Sequence, residues 1–204
     1  MKLLHVGASP FVRKVMVVLE LAGQTQVVEL IDGMGSPLAP NSDVTTHNPV
    51  GKIPCLILDD GQALFDSRVI TRYLDSQFGA GLYPDGDAGW KNATLEALCD
   101  GMLDAGILCV YEFRCRPEEY RYDEWLEGQR AKISRGLEVL EREWLDHLNG
   151  PMTMGHVSTG VLLDYLDFRR EFAGLPEWRG KHPGLEKWAA EFLQTPAMQA
   201  TQPA

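Results

Sequence analysis

The chain has 204 residues, 45% hydrophobic and 24% charged, which is room for one large domain or two small ones with a real core. Its net charge of −10 argues against nucleic acid, whose phosphates need a clustered basic face, and disfavours anionic membrane surfaces. No run of eighteen apolar residues exists, so a transmembrane helix is excluded.

The opening residues Met1-Lys2-Leu3-Leu4-His5 lack an apolar h-region and a cleavage site, and read as structure. Leu3 to Val6 is a strand candidate ended by Gly7-Ala8. Ser9-Pro10 opens a helix, with Pro10 in the first turn where its missing N–H costs nothing. Phe11, Val15, Val18, Leu19 and Ala22 recur at helical spacing before Gly23, and Gln26 to Ile31 is a second strand. Residues 32 to 47, rich in Gly, Pro, Ser, Asn and Thr, form a loop with room for one helical turn. Cys55–Leu58 and Ala63–Phe65 are strands joined by the turn Asp59-Asp60-Gly61-Gln62. Ser67 to Phe78 is a helix with Val69, Ile70, Tyr73 and Leu74 on its buried side. Strand signals then stop.

Residues 80 to 87 read as a linker, so the chain divides into 1–79 and an all-helical 88–204. In 88–115, Leu95, Leu98, Met102, Ala105 and Cys109 step by three or four, and Gly101 and Gly106 permit close helix contact. Further helices are expected over Tyr122–Leu148, about Thr153–Phe172 and about Pro183–Gln194, with a loosely held tail from Thr195.

Cys55, Cys99, Cys109 and Cys115 form no C-x-x-C pair, and none stands beside a histidine at ligand spacing. Zinc is therefore disfavoured, and the thiols are expected reduced, in the cytoplasm, as small apolar packing residues. Asp100 and Asp104 lie one turn apart, a spacing open to acid/base chemistry but more typical of a solvated or interface face.

Three motifs carry chemistry. Ser9 precedes a helix, Asn48-Pro49-Val50-Gly51-Lys52-Ile53-Pro54 precedes a strand, and Phe65-Asp66-Ser67 opens the next helix. Their order and spacing resemble the N-terminal signatures of the cytosolic glutathione S-transferases, over nearly the whole chain. Ala97–Gly106 and Tyr165-Leu166-Asp167-Phe168-Arg169 are similar to the bacterial branch that includes YibF-like proteins. The resemblance implies an α/β thioredoxin-like domain followed by an all-α domain that carries the second-substrate site. It implies glutathione as co-substrate, no metal, and a homodimer. It also implies a cis Ile53-Pro54 bond, with Ile53 pairing to the tripeptide backbone. The plain alternative is an ordinary proline starting an edge strand.

Ser9 is the candidate catalytic residue. A free thiol with a pKa of about 8.5 is only roughly 3% thiolate at neutral pH. Lowering that by about two pH units needs about 2.7 kcal/mol of preference for the anion. A hydroxyl hydrogen bond to a charged acceptor supplies roughly 1.5–3 kcal/mol and a helix N-terminus about 0.3–2 more. Ser9 offers both, or else merely caps its helix. Redox-active relatives carry Cys here, so a mixed disulfide at this position is unavailable.

The glutathione-binding candidates are Ser9, Phe11, Lys52, Ile53, Pro54, Asp66 and Ser67, with Ser67 suited to the γ-glutamyl carboxylate and Asp66 to the ammonium group. Arg13 is a weaker candidate. Phe11, Met102, Tyr111 and Phe113 are candidates for the pocket of an apolar electrophile, against the plain reading of core packing. The expected reaction is transfer of the thiolate to that electrophile. The alternatives are glutathione-dependent reduction of peroxides or disulfides, and a non-catalytic binding protein. One departure from the family concerns the capping box Ser/Thr-x-x-Asp. Here it reads Thr153-Met154-Gly155-His156, so Thr153 is expected to cap without an acid reaching back.

Overall fold

A computed structural model of the chain describes residues 1–203 and separates into two compact units. The first is Met1–Tyr83 with the chain from Pro196 on, and the second is Pro84–Thr195.

In the first unit, β1 (Lys2–His5), α1 (Pro10–Leu21), β2 (Glu29–Asp32), α2 (Ser42–His47), β3 (Cys55–Ile57), β4 (Ala63–Leu64) and α3 (Ser67–Phe78) follow in order. The sheet order is β2-β1-β3-β4, with β1 parallel to β2 and antiparallel to β3, and β3 antiparallel to β4. This is the thioredoxin-like arrangement. The second strand starts later than its apolar run because pairing begins at Lys2 opposite Glu29, and Thr25–Val27 winds into a 3-10 turn instead.

Both sheet faces are covered. Leu4 and Cys55, opposite each other in register, pack with Val44 of α2 and with Ile53. Leu3 and Leu56 point to the other face and are fully buried on the side where α1 and α3 pack together. The helical turn in the 32–47 loop is α2, set by Asn41, whose Oδ1 accepts from the Asp43 and Val44 amides at 2.9 and 3.2 Å.

The tail is ordered rather than loose. A short helix, Pro196–Ala200, buries Ala197 and Met198, and the buried Arg13 donates from Nη2 to the Met198 carbonyl at 3.1 Å. Sequence missed it because five residues hold too little pattern to show an apolar face. Numbered in chain order, this is α9.

The second unit comprises α4 (Gly86–Cys115), α5 (Asp123–Val139), α6 (Leu145–Leu148), α7 (Met154–Ala173) and α8 (Pro183–Phe192). Helix α4 packs against α5 and α7 around Leu95, Cys99, Leu103, Ile133, Val161 and Leu162. A Cβ on Gly106 would stand 3.5 Å from Tyr165 and Leu175, an ordinary van der Waals contact, whereas Gly101 is exposed with open space beside it, so neither marks an especially tight helix crossing. The helix expected to run on to Leu148 is interrupted by a π turn, Leu140–Trp144, which brings Glu141 to the start of α8. There its carboxylate accepts from the Gly184 and Leu185 amides at 2.9 and 2.8 Å.

The capping box of α7 is complete, contrary to expectation. Nδ1 of His156 accepts the Thr153 backbone N–H at 3.1 Å, so an imidazole lone pair does the work of the usual carboxylate. Asn92 of α4 closes the same turn by accepting the Gly155 N–H at 2.8 Å.

Candidate functional site

Strand register gathers the three motifs. β1 runs toward Ser9, β3 starts just after Ile53-Pro54, and Leu4 lies opposite Cys55. β4 runs antiparallel to β3, with Leu64 opposite Leu56, so it delivers Phe65-Asp66-Ser67 to the same end of the sheet. Adjacent strands lie about 4.8 Å apart, so the three points span three neighbouring strands, roughly 10 Å in all.

Ser9 is the N-cap of α1, with extended backbone, and its Oγ accepts the Val12 N–H at 3.3 Å. A hydroxyl that accepts through its oxygen keeps its hydrogen free to donate. Asp66 is the N-cap of α3, with Oδ1 accepting the Arg68 N–H at 3.0 Å, and its side chain is exposed. Ser67, the first residue of α3, is buried, and its carbonyl accepts from Thr71 Oγ1 at 2.8 Å. The first-turn amides of both helices point out of the helix ends, as donors without intrahelical partners.

The Ile53-Pro54 bond is cis, as is Phe65-Asp66. The loop before Pro54 is organised by Asn48, which is 2% exposed. Its Nδ2 donates to the Lys52 carbonyl at 2.7 Å, its Oδ1 accepts from Val50 at 3.2 Å, and its backbone carbonyl accepts from Gly51 at 2.8 Å. Gly51 takes φ +65°, a left-handed conformation that suits glycine. Behind the loop, a Cβ on Gly33 would stand 2.9 Å from Ile53 Cγ2, so a small residue lets β2 leave beside Ile53. Sequence reading gave neither Asn48 nor Gly33 a role. The signal for Asn48 was its place in the Asn-Pro-x-Gly-Lys motif.

Two family models match the chain: the glutathione S-transferase N-terminal domain over residues 8–77 and the glutathione S-transferase C-terminal domain over residues 123–191. The chain belongs to the glutathione S-transferase family. It is 32% identical to the uncharacterized GST-like protein YibF of Escherichia coli K12, over 100% of this chain and 98% of that protein. It is 46% identical to a glutathione transferase family member from Pseudomonas fluorescens Pf-5 solved with bound glutathione, with a TM-score of 0.95 over 100% and 98% of the two chains. A second structure of a family member from that organism, also 46% identical (TM-score 0.90, 100% and 99% covered), holds S-(propanoic acid)-glutathione.

The remaining candidates in this glutathione S-transferase family chain divide by environment. Lys52 is exposed, Ile53 and Phe11 are partly buried, and Pro54 is buried. Cys55 faces α2 in the cluster with Leu4 and Val44, and burial pushes its thiol pKa up, which keeps it neutral. Tyr111 and Phe113 are partly buried at the end of α4, with Phe113 6.4 Å from Phe172 between ring centroids. Met102 is 3% exposed, its sulfur filling the space that a Cβ on Gly136 would need, which places it in the helical core. A cavity of about 590 Å³ opens in the helical unit beside Leu137, Glu141 and His182, and no candidate residue lines it.

Proposed function

We propose that the N-terminal unit binds glutathione, that Ser9 holds its sulfur ionised, and that the thiolate attacks a small, largely apolar electrophile. The observation that carries this reading is the register that sets Ser9, Ile53 and Asp66 at one end of three adjacent strands. An extended tripeptide spans about 10 Å, matching those strands. The glutathione-bound Pseudomonas relative supports the same ligand here.

In this reading the Ile53 backbone pairs with the cysteinyl backbone of the ligand, as a short added strand. Lys52 meets the glycyl carboxylate, the first-turn amides at Ser67 meet the γ-glutamyl carboxylate, and Asp66 meets the ammonium group. Ser9 donates its hydroxyl hydrogen to the sulfur while its oxygen keeps the Val12 cap. The sulfur–carbon bond forms as the leaving group departs with its bonding pair, so the residues supply ionisation and proximity and no covalent enzyme intermediate. Tyr111 and Phe113 of the helical unit supply apolar wall for the electrophile. The protein works as a homodimer in the cytoplasm, a reducing compartment that suits four free cysteines, three of them buried.

Calorimetry with glutathione, followed by product identification from a chlorinated aromatic and from a hydroperoxide, tests the proposal. A thioether conjugate and released chloride are expected. Oxidised glutathione as the only product would replace conjugation with peroxide reduction, and no binding at millimolar glutathione would end both readings.

A further inference from the structure

Helix α1 carries Ser9 as its N-cap and, one turn further on, two buried cationic side chains, Arg13 and Lys14. Arg13 is 5% exposed and shares a buried helix face with Pro10 and Val17. Taking a guanidinium out of water is costly, and hydrogen-bonded partners in good geometry offset that cost. The tail of the same unit supplies such partners, since α9 packs on α1.

Nη2 of Arg13 donates to the Met198 carbonyl at 3.1 Å, and its Nε faces the Thr201 hydroxyl at 3.5 Å. That hydroxyl in turn donates to the Ala197 carbonyl at 2.8 Å. So short a helix leaves its last carbonyls without intrahelical partners, and two of them are taken up here. The same turn of α1 is tied to Ser9. The Ser9 carbonyl accepts the Arg13 backbone N–H at 3.0 Å, and its Oγ accepts the Val12 N–H at 3.3 Å. Burial of Ala197 and Met198 holds the tail without direction, whereas a rigid guanidinium fork fixes orientation as well as contact.

We propose that Arg13 is a positioning residue for the thiol chemistry: by gripping the tail it fixes the first turns of α1, and through them the direction of the Ser9 hydroxyl. The proposal rests on the glutathione reading above and adds the tail to what that site needs. The competing explanation is that the clasp between Arg13 and α9 only stabilises the first unit.

Titration of the bound glutathione thiol by its ultraviolet absorbance separates the two, with Ser9→Ala as the reference. Two variants loosen the clasp from opposite sides. Arg13→Lys keeps the charge and loses the fork, while truncation after Thr195 keeps Arg13 and removes its tail partners. In both, the thiol is expected to ionise about half a pH unit or more above wild type, a smaller rise than in Ser9→Ala, with glutathione affinity changed less than about threefold. Combined with Ser9→Ala, neither is expected to raise it further, because the hydroxyl through which the clasp acts is gone. If one variant fails to fold by circular dichroism, the other carries the same test, alone and with Ser9→Ala. Titrations of the clasp variants that superimpose on wild type while Ser9→Ala shifts, or shifts that add to that of Ser9→Ala, overturn the proposal and leave the glutathione reading intact. Failure of the wild-type protein to bind glutathione, or an unshifted Ser9→Ala, removes the reading beneath it as well.

Discussion

The side-chain amide of Asn48 donates to the Lys52 carbonyl across 2.7 Å while its oxygen holds the Val50 N–H, so one buried residue ties both ends of the loop that presents Ile53. Asn48→Ala leaves a carbonyl and an N–H of that loop without these partners, at about 1–3 kcal/mol for each group that stays buried. Glutathione affinity is expected to fall by about tenfold or more, since the loop must be re-ordered on binding. Asn48→Asp isolates the donor, because a carboxylate still accepts from Val50 but cannot donate to Lys52. It too should weaken binding, and calorimetry checks both variants.

His156 makes stability depend on pH. Burial, and next the neighbouring His147, hold its pKa down to about 4 against an ordinary 6.5. Between those values the unfolded chain takes up the proton and the folded chain does not, so stability rises with pH across that window. It is fully present above pH 6.5 and lost as pH falls toward 4, by an amount on the order of 3 kcal/mol. Protonation at Nδ1 also removes the acceptor for the Thr153 N–H. In His156→Asp the slope between pH 6.5 and 4 should become shallower, leaving the share of His147, whose pKa burial also holds down. Urea unfolding at several pH values reads this directly.

Two glycines on α5 should respond with opposite signs. The space beside Gly136 is filled by Met102, so Gly136→Ala overpacks the helical core, at about 1–3 kcal/mol. Gly128 has nothing within 4 Å, so Gly128→Ala gains helix propensity, up to about 1 kcal/mol. Thermal unfolding of the two variants side by side tests the pair.

Removing the chain from Pro196 on uncovers Arg13 and the face of α1 that α9 buries. The truncated protein should have a lower Tm, by several degrees. An unchanged Tm would show that the tail contributes nothing to the first unit.

The thioredoxin-like order was legible because each signal was local. Pro10 after Ser9, the Asp60-Gly61 turn and the Asp66-Ser67 cap each mark a boundary within a few residues. What escaped depended on partners far along the chain. The π turn at Leu140–Trp144 makes sense only once Glu141 is seen at the Gly184 and Leu185 amides. α9 needs Arg13, and the role of Gly33 needs Ile53. His156 was misjudged for a chemical reason, since capping boxes are read from acids and amides, yet a neutral imidazole offers the same lone pair. At the candidate site the sequence pattern picked out Ser9, Ile53-Pro54 and Asp66-Ser67 but could not show that strand register joins them.

The most direct measurement is the pH titration of bound glutathione by its ultraviolet thiolate absorbance, in the wild-type protein and in Ser9→Ala. The bound thiol is expected to ionise about two pH units below a free thiol in the wild-type protein. Loss of the hydroxyl should raise its pKa by at least about one, with much less change in affinity. Superimposed titrations of the two proteins would contradict activation of the sulfur by Ser9.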